Sequence, residues 1–166
     1  MKHILIVCTA NICRSPMAAA LLRQRLAGLG LAGEVEVKSA GVFAQEGQEA
    51  SRPAITVLAE RNVPLRGHRS LAVSLELLAE ADIVLVMEEA HRRSLFYLAP
   101  QHLGKVFLLA EMSGRHSDIP DPFGGPVEGY VRTADLLDKM LKAGLPAILK
   151  RLRLSLPAED GESERH

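Results

Sequence analysis

Apolar residues fall along this chain in two patterns, short unbroken runs and longer stretches with helical spacing. The first run, HILIVC at 3–8, is rich in β-branched residues and reads as a buried strand. TANICRSP follows at once, and then MAAALLRQRLAGLG, in which Met17, Leu21, Leu22, Leu26 and Leu29 fall on one helical face. Ser15 reads as the N-cap of that helix, Pro16 as its first residue and Gly30 as its stop. Further strands are predicted at 34–39, 82–87 and 105–109, and further helices at 48–61, 74–81 and 88–99. From Val127 onward apolar positions recur at Tyr130, Val131, Ala134, Leu137, Leu141, Leu145, Ile148, Leu149 and Leu152, which predicts one long final helix. Pro146 predicts a bend in it, softened by Gly144.

Strands alternating with helices point to an α/β fold: a single doubly wound layer of about four parallel strands with helices on both faces. Such sheets bind ligands beyond the carboxyl ends of their strands, where the loop 8–15 lies. With no repeat and no linker, residues 1–154 read as one domain and 155–166 as a polar tail expected to be disordered.

Composition narrows the function. At 166 residues, 48% hydrophobic and 24% charged, the chain suits one globular core. Acidic and basic residues balance at 20 each, so no overall basic field recruits nucleic acid or an anionic membrane, and any anion must be bound locally. No apolar stretch reaches the roughly 20 residues of a membrane span, and 3–8 is too short for a signal peptide. A soluble, cytoplasmic protein is expected. Cys8 and Cys13 lie too close together to staple a secreted fold, so they call for a chemical explanation.

Cys8 closes the first strand, and Arg14 lies six residues on, just before the helix. The backbone of Thr9, Ala10, Asn11, Ile12 and Cys13 between them can curl into a cup of inward N–H groups that holds a dianion. Arg14 offers a planar fork matched to two phosphoryl oxygens. These positive surroundings, with the Ser15 hydroxyl nearby, favour the thiolate form of Cys8 that attack on phosphorus requires. Read alone, Cys8 is equally a small apolar residue ending a strand; its place at a strand-to-helix turn favours catalysis. The chemistry also needs a general acid that later serves as a base. Asp121, between two prolines in DIPDPFGGP at 118–126, is the better candidate and Asp118 the fallback, although either reads as an ordinary turn aspartate without the cup.

VCTANICRSPMA and DPFGG together resemble the phosphate loop and acid loop of the low-molecular-weight protein tyrosine phosphatases, in that order along the chain. The resemblance runs from about residue 2 to 153, with short matches at SAGV (39–42), GHRS (67–70) and VMEEAH (86–91). It implies hydrolysis of phosphotyrosine in protein substrates through a cysteinyl phosphate, with Cys8 as nucleophile, Arg14 as phosphate clamp and Asp121 as acid and then base. It implies further that Ser15 steadies the thiolate, that Asn11, Ser39 and His68 form a buried network supporting the loop, and that Ile12 and Phe123 wall a slot for an aromatic ring. His68 taken alone reads as an exposed loop residue, and Ile12 and Phe123 as ordinary apolar ones. A reversible disulfide between Cys8 and Cys13 is implied as well.

Two positions depart from the family pattern. Ala10 stands where glycine is usual, so the turn must tolerate a Cβ there. Gly124 follows Phe123 where animal members tend to carry a second aromatic, which widens the slot. DPFGG followed by VEGY is similar to a bacterial branch that includes protein arginine phosphatases, in which a threonine is typical at the position of Ile12. Ile12 favours the apolar tyrosine ring. Among rivals, a related arsenate reductase would need cysteines after Cys13, and a non-catalytic phosphate-binding module would be favoured by loss of Cys8 or Asp121. Neither a nucleotide-binding glycine motif nor a ligand-spaced histidine pair is present, so no cofactor or metal is expected, and HRR at 91–93 reads as a solvated helix face.

Overall fold

A computed structural model of the chain describes residues 1–156. Four strands, β1 (Lys2–Cys8), β2 (Val35–Gly41), β3 (Ile83–Val86) and β4 (Val106–Leu108), form one parallel sheet in the order β2-β1-β3-β4. Ile4 to Val7 and all of β3 are buried, as the apolar runs require of strands covered on both faces. The helices are α1 (Arg14–Gly28), α2 (Arg52–Glu60), α3 (Leu75–Glu80), α4 (Glu89–Leu98), α5 (Leu109–Met112) and α6 (Val127–Arg151). α1 and α6 pack together against one face, with α2 and α5 resting on α6; α3 and α4 cover the strands of the other. No helix among the described residues is long and apolar enough to cross a membrane. Residues 157–166, most of the predicted tail, lie outside the described residues.

The chain leaves β1 toward β2 on one side and returns to β3 on the other, so the sheet's switch point lies beyond Cys8 and Val86. Loops from β1 and β3, and the segment after α5, all open there. Met87 N–H donates to Val7 O at 3.2 Å and Ile119 N–H to Met87 O at 2.9 Å, which carries the segment before Asp121 across the end of β3.

Several boundaries differ from the sequence expectation, each for a tertiary reason. α1 begins one residue before Ser15: its N-cap is Cys13, and Ser15 and Pro16 lie within the first turn, so the Ser15 hydroxyl is turned to other partners. Its other end is as expected, with Gly30 in left-handed backbone and the Gly30 and Leu31 N–H groups closing on Ala27 O and Leu26 O. α2 starts at Arg52 rather than 48 because the preceding residues spend their N–H groups elsewhere, Gln48 on Ser70 Oγ and Ser51 on Ile12 O. The apolar run at 105–109 contains a strand of only three residues, after which Leu109 opens the short helix α5. Gly144 answers to packing: a Cβ there would lie 2.9 Å from Met112 Cβ and 3.1 Å from the Met112 carbonyl carbon. α6 continues through Pro146 to Arg151.

Gly144→Ala is therefore expected to destabilise the fold by about 1–3 kcal/mol, the usual cost of overpacking against backbone. Thermal unfolding should show the loss, with substrate KM unchanged.

Candidate active site

The loop after β1 is held from outside by its carbonyls. Cys8 O accepts from Val42 N–H (3.0 Å), Thr9 O from Phe43 N–H (2.9 Å), Ile12 O from Ser51 N–H (2.8 Å) and Cys13 O from Met17 N–H (3.1 Å). Asn11 O accepts from His68 Nε2 (2.8 Å). With five carbonyls turned outward, the N–H groups of residues 9–13 find no acceptor among the described residues, an arrangement that suits a bound anion. The cup they border, about 170 Å³, is lined by Cys8 to Arg14, Asn11 excepted, with Asp121 and Phe123 on its far side.

Asn11 supplies the bend. Its φ is 58°, the left-handed region that asparagine tolerates better than most residues, and its side chain is fully buried. Nδ2 donates to Ser15 Oγ (2.8 Å) and Ser39 Oγ (2.9 Å), while Oδ1 accepts from Leu71 N–H (2.9 Å). Both amide protons and the carbonyl oxygen have partners, as a buried network requires. The strained position is thus Asn11; Ala10 keeps an ordinary negative φ, so its Cβ costs no backbone strain. Ser15 Oγ, already accepting from Asn11, lies 2.8 Å from Cys8 Sγ and 3.4 Å from Ala40 O, either of which can take its proton.

Arg14 is 1% exposed, and both its terminal nitrogens have partners. Nη1 donates to Ile119 O (2.7 Å) and pairs with Glu88 (3.0 Å); Nη2 reaches Thr9 Oγ1 (3.3 Å) and Asp121 Oδ2 (3.5 Å). A guanidinium this buried needs such partners. Asp121 is half-exposed, and its other oxygen accepts from Phe123 N–H at 3.0 Å, so it closes a turn and faces the cup at once. Asp118 is committed elsewhere: its carboxylate accepts from Glu89 N–H at the start of α4.

The two thiols differ in setting. Both are free and buried, but Cys13 Sγ faces Ser51 Oγ (3.3 Å) and Tyr130 OH (3.5 Å). Burial pushes the Cys13 thiol up, chiefly by desolvation, and pushes the Tyr130 hydroxyl up to about 12. Ile12 is half-buried beside the cup, and Phe123 is mostly exposed on the opposite rim.

Several residues of the site were given no role by the sequence, although VMEEAH and SAGV contain three of them. Glu88 and His91 sit at the N-cap and third position of α4, which aims both at the loop. His91 is buried, contrary to the expected solvated face. Its Nδ1 accepts from Glu88 N–H (3.1 Å), so Nε2 carries the proton and faces Thr9 Oγ1 (2.9 Å) and Glu88 (3.2 Å). Burial first, and the Arg14 charge second, lower its pKa to about 4. Gly41 passes so close to the loop that a Cβ would lie 2.4 Å from Thr9 O. Phe43, two residues on, donates its N–H to Thr9 O while its side chain is almost wholly exposed. Two carboxylate–histidine groupings, His3 with Glu36 and Glu80 and His116 with Glu89 and Glu111, lie away from the cup. Lys38 occupies the first and Arg92 the second, so a cation is already provided in each.

Comparison with known proteins adds to this picture. Residues 3–154 match the family described as low molecular weight phosphotyrosine protein phosphatase. A protein-arginine-phosphatase of Geobacillus stearothermophilus is 46% identical over 140 residues, 84% of this chain and 90% of the relative. A probable low molecular weight protein-tyrosine-phosphatase, EpsP, of Ralstonia nicotianae is 36% identical over 148 residues, 89% of this chain and 97% of the relative. Among solved structures, YwlE arginine phosphatase from Geobacillus stearothermophilus superposes with a TM-score of 0.82 at 41% identity, covering 92% of this chain and 97% of that one. The tyrosine phosphatase Wzb from Escherichia coli K30, solved with sulphate, gives 0.80 at 32% identity, covering 89% and 98%.

Asn11→Ala is expected to cost on the order of 3 kcal/mol, because it strands buried partners and places alanine at positive φ. The loop it shapes should lose roughly 100-fold in kcat/KM. His91 sets a pH dependence of stability. Its folded pKa of about 4 lies below the ordinary 6.5, so the unfolded chain binds more protons between those values and stability falls as pH drops through them. Unfolding in urea at pH 5 should take up about one more proton in wild type than in His91→Gln.

Proposed function

The chain belongs to the low molecular weight phosphotyrosine protein phosphatase family, and from that premise we propose that it hydrolyses phosphotyrosine in protein substrates with Cys8, Arg14 and Asp121 as its catalytic residues. The observation that carries the reading is the cup itself, unpaired N–H groups of residues 9–13 closed at one side by the Cys8 thiol and at the other by Arg14. The phosphoryl oxygens accept from those N–H groups and from the guanidinium, whose charge gains value as charge builds on them in the transition state. Cys8 Sγ attacks phosphorus as a thiolate, steadied by the Ser15 hydroxyl at 2.8 Å. The bond from phosphorus to the tyrosyl oxygen breaks, and Asp121 gives that oxygen its proton. The same carboxylate then takes a proton from water as the water attacks the cysteinyl phosphate, releasing inorganic phosphate and the Cys8 thiolate.

The other groups serve geometry. Glu88 and Ile119 O hold the guanidinium across the cup, while His91, neutral at physiological pH, donates to the Thr9–Glu88 edge without adding a positive charge that would compete with Arg14. Cys13, kept protonated by its surroundings, does not compete with Cys8 as a nucleophile. A reactive thiol with a second thiol in the same loop suits a reducing compartment, and we place the enzyme in the cytoplasm on that chemistry.

Ile12 and Phe123 flank the cup with apolar surface and favour a flat aromatic ring over a charged guanidinium. The second reading, hydrolysis of phosphoarginine, is favoured by the 46% identity to a protein-arginine-phosphatase. Both substrates use one mechanism, so side-by-side kinetics in the presence of a chelator separate them. Phosphotyrosine peptide is expected to be preferred by wild type, and Ile12→Thr to move the preference toward phosphoarginine. Cys8→Ser should fall below roughly a thousandth of wild-type activity and Asp121→Asn by roughly 100- to 10,000-fold. Retained activity in Cys8→Ser would overturn the mechanism; a wild-type preference for phosphoarginine would overturn only the substrate.

A further inference from the structure

A second cavity, of about 290 Å³, opens on the other flank of the phosphate loop, beside the edge strand β2. Arg23, Lys38, Arg66, His68 and Arg69 contribute to its wall together with Ser39, and no carboxylate residue is among its lining. The cations are only partly offset from outside. Arg66 has no carboxylate partner among the described residues, and Arg23 donates to the carbonyl of Val37, with Glu36 near enough to be felt but not in an ion pair with it. Arg69 pairs with the exposed Glu49 (3.4 Å), and Lys38 is shared between Glu36 (3.7 Å) and Glu80 (3.3 Å). Like charges gathered around one concave space repel one another, and a bound anion would relieve that repulsion.

Two of the lining groups also hold the loop. His68 Nε2 donates to Asn11 O at 2.8 Å, and Ser39 Oγ accepts from Asn11 Nδ2 at 2.9 Å. With Nε2 so engaged, the second ring nitrogen of His68 is the one left to serve the cavity. Burial lowers the pKa of the ring, and the charges of Arg23 and Arg69 lower it further against the bond to Asn11 O, which raises it; an added anion would act in the raising direction.

We propose that this cavity is a second anion site, taking a phosphate dianion either free or as a small monoester, and that its occupancy is felt at the phosphate loop through His68, Ser39 and Asn11. An anion there favours the imidazolium form of His68. Protonated on both nitrogens, the ring keeps its bond to Asn11 O and strengthens it, stiffening the residue that bends the loop. The site is separate from the catalytic cup and stands whichever substrate the enzyme prefers.

The test follows the His68 ring by NMR in the full-length chain, titrating pH with inorganic phosphate, with a sugar phosphate monoester, or with sodium chloride at matched ionic strength. Wild type and the double variant Arg66→Ala/Arg69→Ala are compared; both arginines are exposed and neither touches the cup. The expected result is that the His68 titration moves upward by about half a pH unit or more with phosphate or the monoester, that chloride leaves it in place, and that the double variant loses the shift while keeping wild-type kcat. A response to only one of the two phosphate ligands names the source. An equal shift with chloride would mean screening alone, and an undiminished shift in the double variant would mean the effect comes from the catalytic cup. Either outcome overturns the proposal, as does a His68 titration that phosphate does not move.

Discussion

Everything at this site depends on the direction in which five carbonyls point. Peptide units have a donor on one side and an acceptor on the other, so tying the oxygens of Cys8, Thr9, Asn11, Ile12 and Cys13 to the surrounding protein leaves the opposite edges facing inward. The tethers come from far apart in the chain: Val42 and Phe43 after β2, Ser51 before α2, His68 from the loop beyond, and α1 itself. Concentrating unpaired N–H groups in a cup is unfavourable without an anion, and the tethers are what hold them there.

Charge placement follows the same logic. Arg14 is buried where its guanidinium touches both the loop and the segment carrying Asp121, and Glu88 and Ile119 O keep it from folding away. His91 shares this crowded region as a neutral ring, so the positive charge of the site stays concentrated on Arg14. The two thiols a few residues apart are likewise divided by surroundings. Cys8 meets a hydroxyl with a proton to give, while Cys13 is buried against Ser51 and Tyr130. A shared loop therefore holds two sulfurs in different surroundings.

The family establishes the reaction type, and substrate choice falls to a few rim positions. Ile12 and Phe123 line the mouth of the cup with apolar surface. The chemistry in the depth of the cup is indifferent to what hangs from the phosphate, which is why relatives named for tyrosine and for arginine share the same fold and nearly the same length.

The strands, the helices other than α5 and the strand–loop–helix motif were legible in the sequence because each is local: apolar runs of fixed period, and a cysteine and an arginine six residues apart on one turn. The partnership of Asn11, Ser39 and His68 was reached only through family resemblance, since nothing in the spacing of residues 11, 39 and 68 marks them as neighbours. Tertiary structure alone decided the rest. It turned Ser15 from a helix cap into a partner of Cys8, buried His91 in place of a solvated face, gave Asp118 to the start of α4 and left Asp121 facing Arg14. It also placed Gly41 under Thr9 and Gly144 against Met112, where no side chain fits. Those outcomes depend on which residues from distant segments meet, and a pattern with a period of two or 3.6 carries no information about such meetings.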